Sequence, residues 1–231
     1  MTIKYSIVIP CFNEEKNLVE LYENCFEHLI KNEIEVIFVN NGSTDNSKEL
    51  MNNLEYKYRS KLLRGINLNK NLGYGGGILE GLKIANGTYI GWTHADLQTD
   101  IRDVFKGFRI IKSNQFLKGS RIGRPLKDNF FSYGMAIFES LILRKILWEI
   151  NAQPTLFSNE FFKTWKNPPN DFSLDLYAYC MAKKMRLQEK RIKVYFPERK
   201  HGSSSWNTGL LSKLKLIKRT VEYSFALRKR I

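Results

Sequence analysis

The chain has 231 residues, 43% of them hydrophobic and 13% aromatic, enough to bury a sizeable core and to exclude an intrinsically disordered chain. Its 37 Lys and Arg against 23 Asp and Glu leave a formal charge of +14, which points to a polyanionic partner: nucleic acid, an anionic membrane surface or a phosphorylated substrate. The three cysteines, Cys11, Cys25 and Cys180, form no CxxC pair, which argues against a disulfide framework or zinc site and for a reducing compartment.

In chain order, Tyr5–Pro10 is a short β-branched run that ends on proline and reads as a buried strand. A helix follows from about Glu14 to Lys31, with Leu18, Leu21, Tyr22, Cys25, Phe26 and Leu29 at helical spacing. Glu35–Val39 is a second strand, stopped by Asn40-Asn41-Gly42, after which Ser43 or Thr44 caps a helix that runs to Tyr58. Leu62–Leu68 is a third strand, Gly77–Ala85 a helix, Thr88–Thr93 a fourth strand, Arg102–Lys112 a helix and Gln115–Gly119 a short strand. Such alternation predicts a mostly parallel, doubly wound α/β sheet. After Arg121 the pattern changes to a long helix over Phe130–Ile150, an irregular stretch with Pro154, Pro168 and Pro169, a helix over Leu174–Met185 and a strand over Lys193–Phe196. A Gly/Ser-rich loop at Gly202–Ser205 and a basic helix from Thr208 to Arg230 complete the chain. No run reaches the roughly 20 apolar residues of a membrane span, since Glu139, Arg144, Lys145 and Glu149 break the best candidate.

In an open α/β sheet ligands sit beyond the carboxyl ends of the strands. Three strand ends carry polar clusters: Pro10-Cys11-Phe12-Asn13-Glu14, Asn40-Asn41-Gly42-Ser43-Thr44-Asp45 and His94-Ala95-Asp96-Leu97-Gln98. Any one of them is explained by turn chemistry and an N-cap; three in succession, each after a buried strand, ask for a ligand. The glycines from Gly73 to Gly77 do not form a dinucleotide fingerprint, because a GxGxxG count from Gly73 ends on Ile78. They are expected to let backbone approach a bound nucleotide.

Taken together these motifs resemble family 2 glycosyltransferases, particularly the dolichol-phosphate mannosyltransferase-like branch with the GT-A fold: a mostly parallel central sheet flanked by helices. Pro10, Phe12, Asn13 and Glu14 stand as the family's P-x-[YF]-N-E opening, and Val39 to Asp45 as its V-D-D-G-S-T-D loop. Asn71 to Gly77 matches the N-x-G-x-[GA] segment, His94 to Gln98 the D-A-D-L-Q metal loop, and Gly119-Ser120-Arg121 the G-S-R that follows. The resemblance implies an inverting transferase that takes a UDP- or GDP-sugar, with Pro10, Phe12, Asn13, Glu14, Asn41, Ser43, Asn71, Gly73, Gly76 and Ala95 around the donor. It also implies a divalent cation, Mn²⁺ or Mg²⁺, at Asp96 and Gln98, with His94 as a further candidate. Two departures stand out. Asn40 and Asn41 replace the paired aspartates, and His94 replaces the first carboxylate of the metal loop, where imidazole suits softer ions than Mg²⁺.

For a hydroxyl acceptor the reaction needs a carboxylate base. Asp171 and Asp175, four apart at a helix start, are the candidates, while Asp96 is expected to act in catalysis through the metal loop; Asp171 is alternatively an N-cap, leaving Asp175 to point at the cleft. A phosphate acceptor needs no base, being already an anion. Arg121, Arg124, Arg199 and His201 offer charge-assisted hydrogen bonds to a lipid-linked phosphate or glycan acceptor. The late R-x-x-G-x-S-K loop of the lipid-phosphate enzymes has Ser205 at its lysine position here. Residues 1–207 are expected to form one glycosyltransferase domain, with a nucleotide half (1–121) and an acceptor half (122–207), and 208–231 a basic amphipathic helix. Leu210, Leu214, Ile217, Val221 and Phe225 give that helix an apolar stripe beside seven cations, suited to lying on an anionic membrane. The expectation is therefore a cytoplasmic, peripheral enzyme of the inner membrane face with no nucleic-acid partner, because a basic nucleic-acid module gives no reason for three polar clusters at successive strand ends.

Overall fold

A computed structural model describes residues 3–123, 126–197 and 210–230, and the side chains among them except those of 126–131 and 210–216. Seven strands form one sheet: β1 (Tyr5–Cys11), β2 (Ile34–Asn40), β3 (Leu63–Asn67), β4 (Tyr89–Trp92), β5 (Gln115–Ile122), β6 (Thr155–Ser158) and β7 (Gln188–Tyr195), in the order β3-β2-β1-β4-β6-β5-β7. Only β6 runs antiparallel to its neighbours. The other six strands therefore end at one common edge.

The sheet is buried on both faces because β1 alternates Ile7 and Ile9 toward one layer with Val8 toward the other. Helices α1 (Glu15–His28), α2 (Ser47–Tyr58) and α4 (Ile101–Ile110) cover the first face, where Leu18, Tyr22, Leu54, Val104 and Phe108 pack on Ile7, Ile9 and Phe38. The second face is covered by α3 (Tyr74–Lys83), α5 (Leu126–Leu143), α6 (Asn159–Lys163), α7 (Leu174–Lys184) and α8 (Leu210–Arg228). Its core is strongly aromatic, with Trp92, Phe116, Phe157, Phe161, Tyr177 and Tyr179 in one cluster.

Several expected elements shift. The strand β6 replaces part of the expected irregular stretch: its four residues are too few to carry a period, yet all are buried because they bridge β4 and β5. The long helix stops at Leu143 rather than Ile150, where Arg144 turns left-handed at φ 52°. Strand β7 begins five residues earlier than Lys193; it is an edge strand in which Lys190 and Lys193 are exposed while Glu189 and Arg191 pair with each other, so hydropathy does not mark it. Neither Ser43 nor Thr44 caps α2, which starts at Ser47. Helix α8 packs on α5 and the body of the domain, burying Ser224 and Leu227, while Phe225 of the expected stripe is half exposed. Leu210 and Leu214, in the same stripe, have side chains outside the described residues. Arg230 Nη2 donates to the Lys166 carbonyl at 2.6 Å and fixes the end of this helix. Among the described residues no helix is long and apolar enough to cross a membrane.

Candidate active site

The first two polar clusters meet at the carboxyl ends of β1 and β2, where they are stitched together. Asn13, left-handed at φ 58°, receives the Thr44 backbone N–H on Oδ1 at 2.8 Å, and its own N–H donates to Ser43 Oγ at 3.0 Å. The Glu14 N–H donates to Ser47 Oγ at 2.9 Å, while its carboxylate accepts from Asn17 Nδ2 at 2.6 Å. Pro10 lies in the β1 ladder opposite Val39 and presents Phe12, which is exposed, beyond the strand end.

The two asparagines in place of aspartates have internal duties. Asn40 Nδ2 donates to Asn67 Oδ1 at 2.9 Å, tying β2 to β3. Asn41, almost fully buried, receives the Leu72 N–H on Oδ1 at 3.0 Å and donates Nδ2 to the Gly73 carbonyl at 2.9 Å and to Asn71 Oδ1 at 3.3 Å. An amide can brace a loop from both sides in this way, whereas a carboxylate only accepts. Asn71 and Gly73 are thus held directly by Asn41, whereas Gly76 faces Leu72 and Asn170.

The glycines are used differently from the expectation. Helix α3 begins at Tyr74, so Gly75 to Gly77 lie inside its first turn and are buried. The close approach they allow is to the chain's own 169–171 segment: a Cβ on Gly75 would lie 2.6 Å from the Pro169 carbonyl oxygen, and the Gly76 N–H donates to the Asn170 carbonyl at 2.9 Å. Gly73, at φ 82°, is held in a conformation that a side chain would strain. This contact draws the 71–77 segment and the segment before α7 together.

Beyond β4, Ala95 and Asp96 are buried and His94 is partly exposed. Asp96 Oδ1 accepts the Gln98 N–H at 3.1 Å, and Leu97 between them is left-handed at φ 57°. Gln98 Nε2 donates to the Pro197 carbonyl at 3.0 Å, anchoring the loop to the end of β7. Among the described residues no three His, Cys, Asp or Glu side chains converge as a metal site. One carboxylate, one imidazole and one carboxamide in this loop fit a divalent cation only if a substrate's diphosphate supplies the remaining oxygens.

The two candidate bases part company. Asp175 is buried, with Oδ2 accepting from Tyr74 Oη at 2.9 Å and Oδ1 lying 3.4 Å from Lys118 Nζ. It therefore does not point into an open cleft. Lys118, wholly buried, also donates to Thr155 Oγ1 at 2.8 Å; burial pushes its ammonium down to about 8, against the opposing pull of Asp175. Gln153 donates to Tyr74 Oη, whose own ionisation is pushed up, by burial first and then by Asp175. Asp171 is the more open of the two. Its Oδ1 accepts the Ser173 N–H at 2.8 Å, and its Oδ2 meets Arg219 Nε of α8 at 3.1 Å. The ring of Phe172 between them stacks on Tyr74 at 4.7 Å.

Arg121, at the end of β5, pairs through Nε with Glu149 Oε2 at 2.6 Å and lies over Phe196. Arg124, Arg199 and His201 lie outside the described residues. Sequence reasoning missed the Lys118–Thr155–Asp175–Tyr74–Gln153 network, although a lysine inside the otherwise apolar run Phe116-Leu117-Lys118-Gly119 was a visible signal. Glu149 and Arg219 gave no such signal, being ordinary surface types in helix-like contexts.

The chain is similar to known proteins in sequence and in fold. Over 112 residues the chain is 35% identical to the dolichyl-phosphate beta-glucosyltransferase of Homo sapiens, covering 46% of this chain and 35% of that one. Over 133 residues it is 33% identical to the undecaprenyl-phosphate 4-deoxy-4-formamido-L-arabinose transferase of Proteus mirabilis, covering 55% of this chain and 39% of that one. The chain thus matches well under half the length of either relative. Among solved structures, glucosyl-3-phosphoglycerate synthase from Mycobacterium tuberculosis in complex with Mn²⁺, UDP and glucosyl-3-phosphoglycerate superposes with a TM-score of 0.71 at 14% identity, over 97% of this chain and 79% of that one. That likeness shows a shared GT-A-like fold. The model of Glycosyl transferase family 2 matches residues 6–175, well over half of the chain and every strand-end loop described above. By that match the chain belongs to glycosyl transferase family 2.

Proposed function

We propose that the protein transfers a sugar from a nucleotide-diphosphate sugar to a lipid-linked or glycan acceptor with inversion, in bacterial surface-polysaccharide or lipid-linked sugar synthesis at the inner membrane face. The observation that carries this reading is the convergence of three cross-tied polar loops on one sheet edge, all inside the family-2 match. In this reading Phe12, Asn13 and Ser43 receive the nucleoside, while Asn41 holds the 71–73 loop against it. Asp96, His94 and Gln98 face the diphosphate. A divalent cation held there, Mn²⁺ or Mg²⁺, would offset the charge of the leaving group. Two structural neighbours, a mannosyltransferase from Pyrobaculum calidifontis and the mycobacterial synthase above, were solved in complex with Mn²⁺, which supports that cofactor.

Of the two carboxylates, Asp171 suits the role of base for a hydroxyl acceptor: it sits beside the glycine segment through Asn170, and Arg219 orients it. Asp175 instead positions Tyr74 and Lys118. A second reading, direct transfer to a polyprenyl phosphate as in the dolichol-phosphate branch, is favoured by the names of the two relatives above and needs no base. Arg121, held by Glu149 at the end of β5, would then be a cation offered to that phosphate.

The test is a panel of UDP-, GDP-, CMP- and dTDP-sugars, screened for thermal stabilisation and slow hydrolysis with Mn²⁺, with Mg²⁺ and with chelator. One base is expected to stabilise the folded protein and to be turned over, more strongly with the cation. A folded protein that answers to none of the nucleotides would overturn the reading.

A further inference from the structure

The solvent face of α5 carries no charge over its described side chains. Its exposed positions are Tyr133, Gly134, Ile137 and Leu141, with Ile137 60% and Leu141 73% exposed, one helical turn apart on one line. Past the helix end the chain doubles back, so that the Trp148 ring stacks on Tyr133 at 4.5 Å, and Ile146 in that return is 86% exposed. A helix that is apolar on its core side and on its solvent side is a helix with an unmet partner. Five large apolar side chains in one ridge exceed the scattered exposure of an ordinary surface.

Charge identifies the partner. Arg144, exposed, and Lys145 interrupt the ridge between Leu141 and Ile146, and the two acids nearby are withdrawn from the surface: Glu139 is buried in α5, and Glu149 is buried against Arg121. The chain as a whole carries +14. A second copy seated on the ridge about a two-fold axis would press these cations together without an acid to meet them. A bilayer surface accepts both features, the aliphatic side chains in the acyl boundary and the cations among anionic headgroups, with Tyr and Trp at the level they favour.

We propose that the ridge Tyr133–Ile137–Leu141–Ile146–Trp148 is a docking surface for an anionic bilayer, and that α5 rather than the stripe of α8 holds the protein to it. The ridge lies next to the reaction edge: Glu149, one residue beyond Trp148, pairs with Arg121 at the end of β5. Docking there would set that edge against the membrane. This consequence rests on the reading of a lipid-linked acceptor, whereas the docking itself does not.

The full chain is sedimented with phosphatidylglycerol/phosphatidylcholine vesicles and with phosphatidylcholine vesicles alone, and nucleotide-sugar stabilisation is measured on the same samples. Wild type is expected to bind the anionic vesicles more tightly than the neutral ones and to release in high salt. The double variant Ile137→Glu/Leu141→Glu is expected to bind them at least about tenfold more weakly. Ile146→Glu, at a position open enough to leave folding untouched, is expected to weaken binding in the same direction. Nucleotide-sugar stabilisation is expected to be unchanged in all three proteins. Equal vesicle binding by wild type and Ile146→Glu would overturn the proposal, as would a wild-type dimer in solution that the variants break while vesicle binding stays the same. Absence of nucleotide stabilisation with vesicle binding intact would count against the transferase reading alone.

Discussion

Lys118 and Asp175 show how a residue chosen for chemistry is distinguished from one that shapes the site. Both are buried, 3.4 Å apart, with Tyr74 and Thr155 completing their hydrogen bonds. Removing one partner of such a pair leaves the other charge without compensation in a low-dielectric interior. Lys118→Met is therefore expected to lower unfolding stability by about 3–5 kcal/mol, measured by denaturant titration. Lys118→Met combined with Asp175→Leu is expected to recover a large part of it. Equal losses in the single and double variants would show that the pair is not coupled. Asp175 stands out in the sequence as a candidate, but its partner does not, since Lys118 lies 57 residues earlier on strand β5. The sequence leaves Asp171 open between cap and base; in the fold one carboxylate oxygen closes the turn before α7 and the other meets Arg219.

At the scale of elements, the strand-end loops were readable because each follows a β-branched buried run and precedes a helix, a pattern local in sequence. The 169–171 segment was not readable, because what defines it is contact with α3 rather than its own pattern. Gly75 is the junction: an added Cβ would meet two backbone carbonyl oxygens, of Pro169 at 2.6 Å and Asp171 at 2.7 Å, neither free to swing aside. Gly75→Ala is thus expected to destabilise by about 1–3 kcal/mol and to weaken nucleotide-sugar binding together with it. Wild-type stability and donor affinity in this variant would mean that the two segments do not need each other. The strands β6 and β7 were lost or shortened in the sequence reading for opposite reasons. The first is too short and too buried to show alternation, and the second is an edge strand in which charge outweighs period.

For the whole molecule, the fold class followed from alternation of strand and helix over the first 120 residues, and the chain's charge from its composition. Which surfaces carry that charge, and which carry none, needed the packing of α5, α7 and α8. Within that packing Glu139 is buried, and burial pushes its carboxyl up to about 8 from an ordinary 4.5. A carboxyl held protonated in the fold but free to ionise when unfolded costs stability as pH climbs from the unfolded value toward the folded one. Glu139→Gln is expected to match wild type in Tm near pH 4.5 and to exceed it increasingly up to about pH 8, where the gain levels off. A constant difference across that range would place the ionisation elsewhere.

The proposed reaction depends most heavily on the loop after β4 as the place where the donor's diphosphate is held. Asp96→Ala is expected to keep the fold, because Asp96 lies in the loop beyond the end of β4, where its Oδ1 accepts the Gln98 N–H at 3.1 Å. The decisive measurement is turnover of the preferred nucleotide sugar by wild type and Asp96→Ala under the same cation, with circular dichroism confirming equal folding. A loss of about 100-fold or more, equivalent to roughly 2.7 kcal/mol of barrier, is the predicted result. Turnover within about threefold of wild type, below 1 kcal/mol, would contradict it.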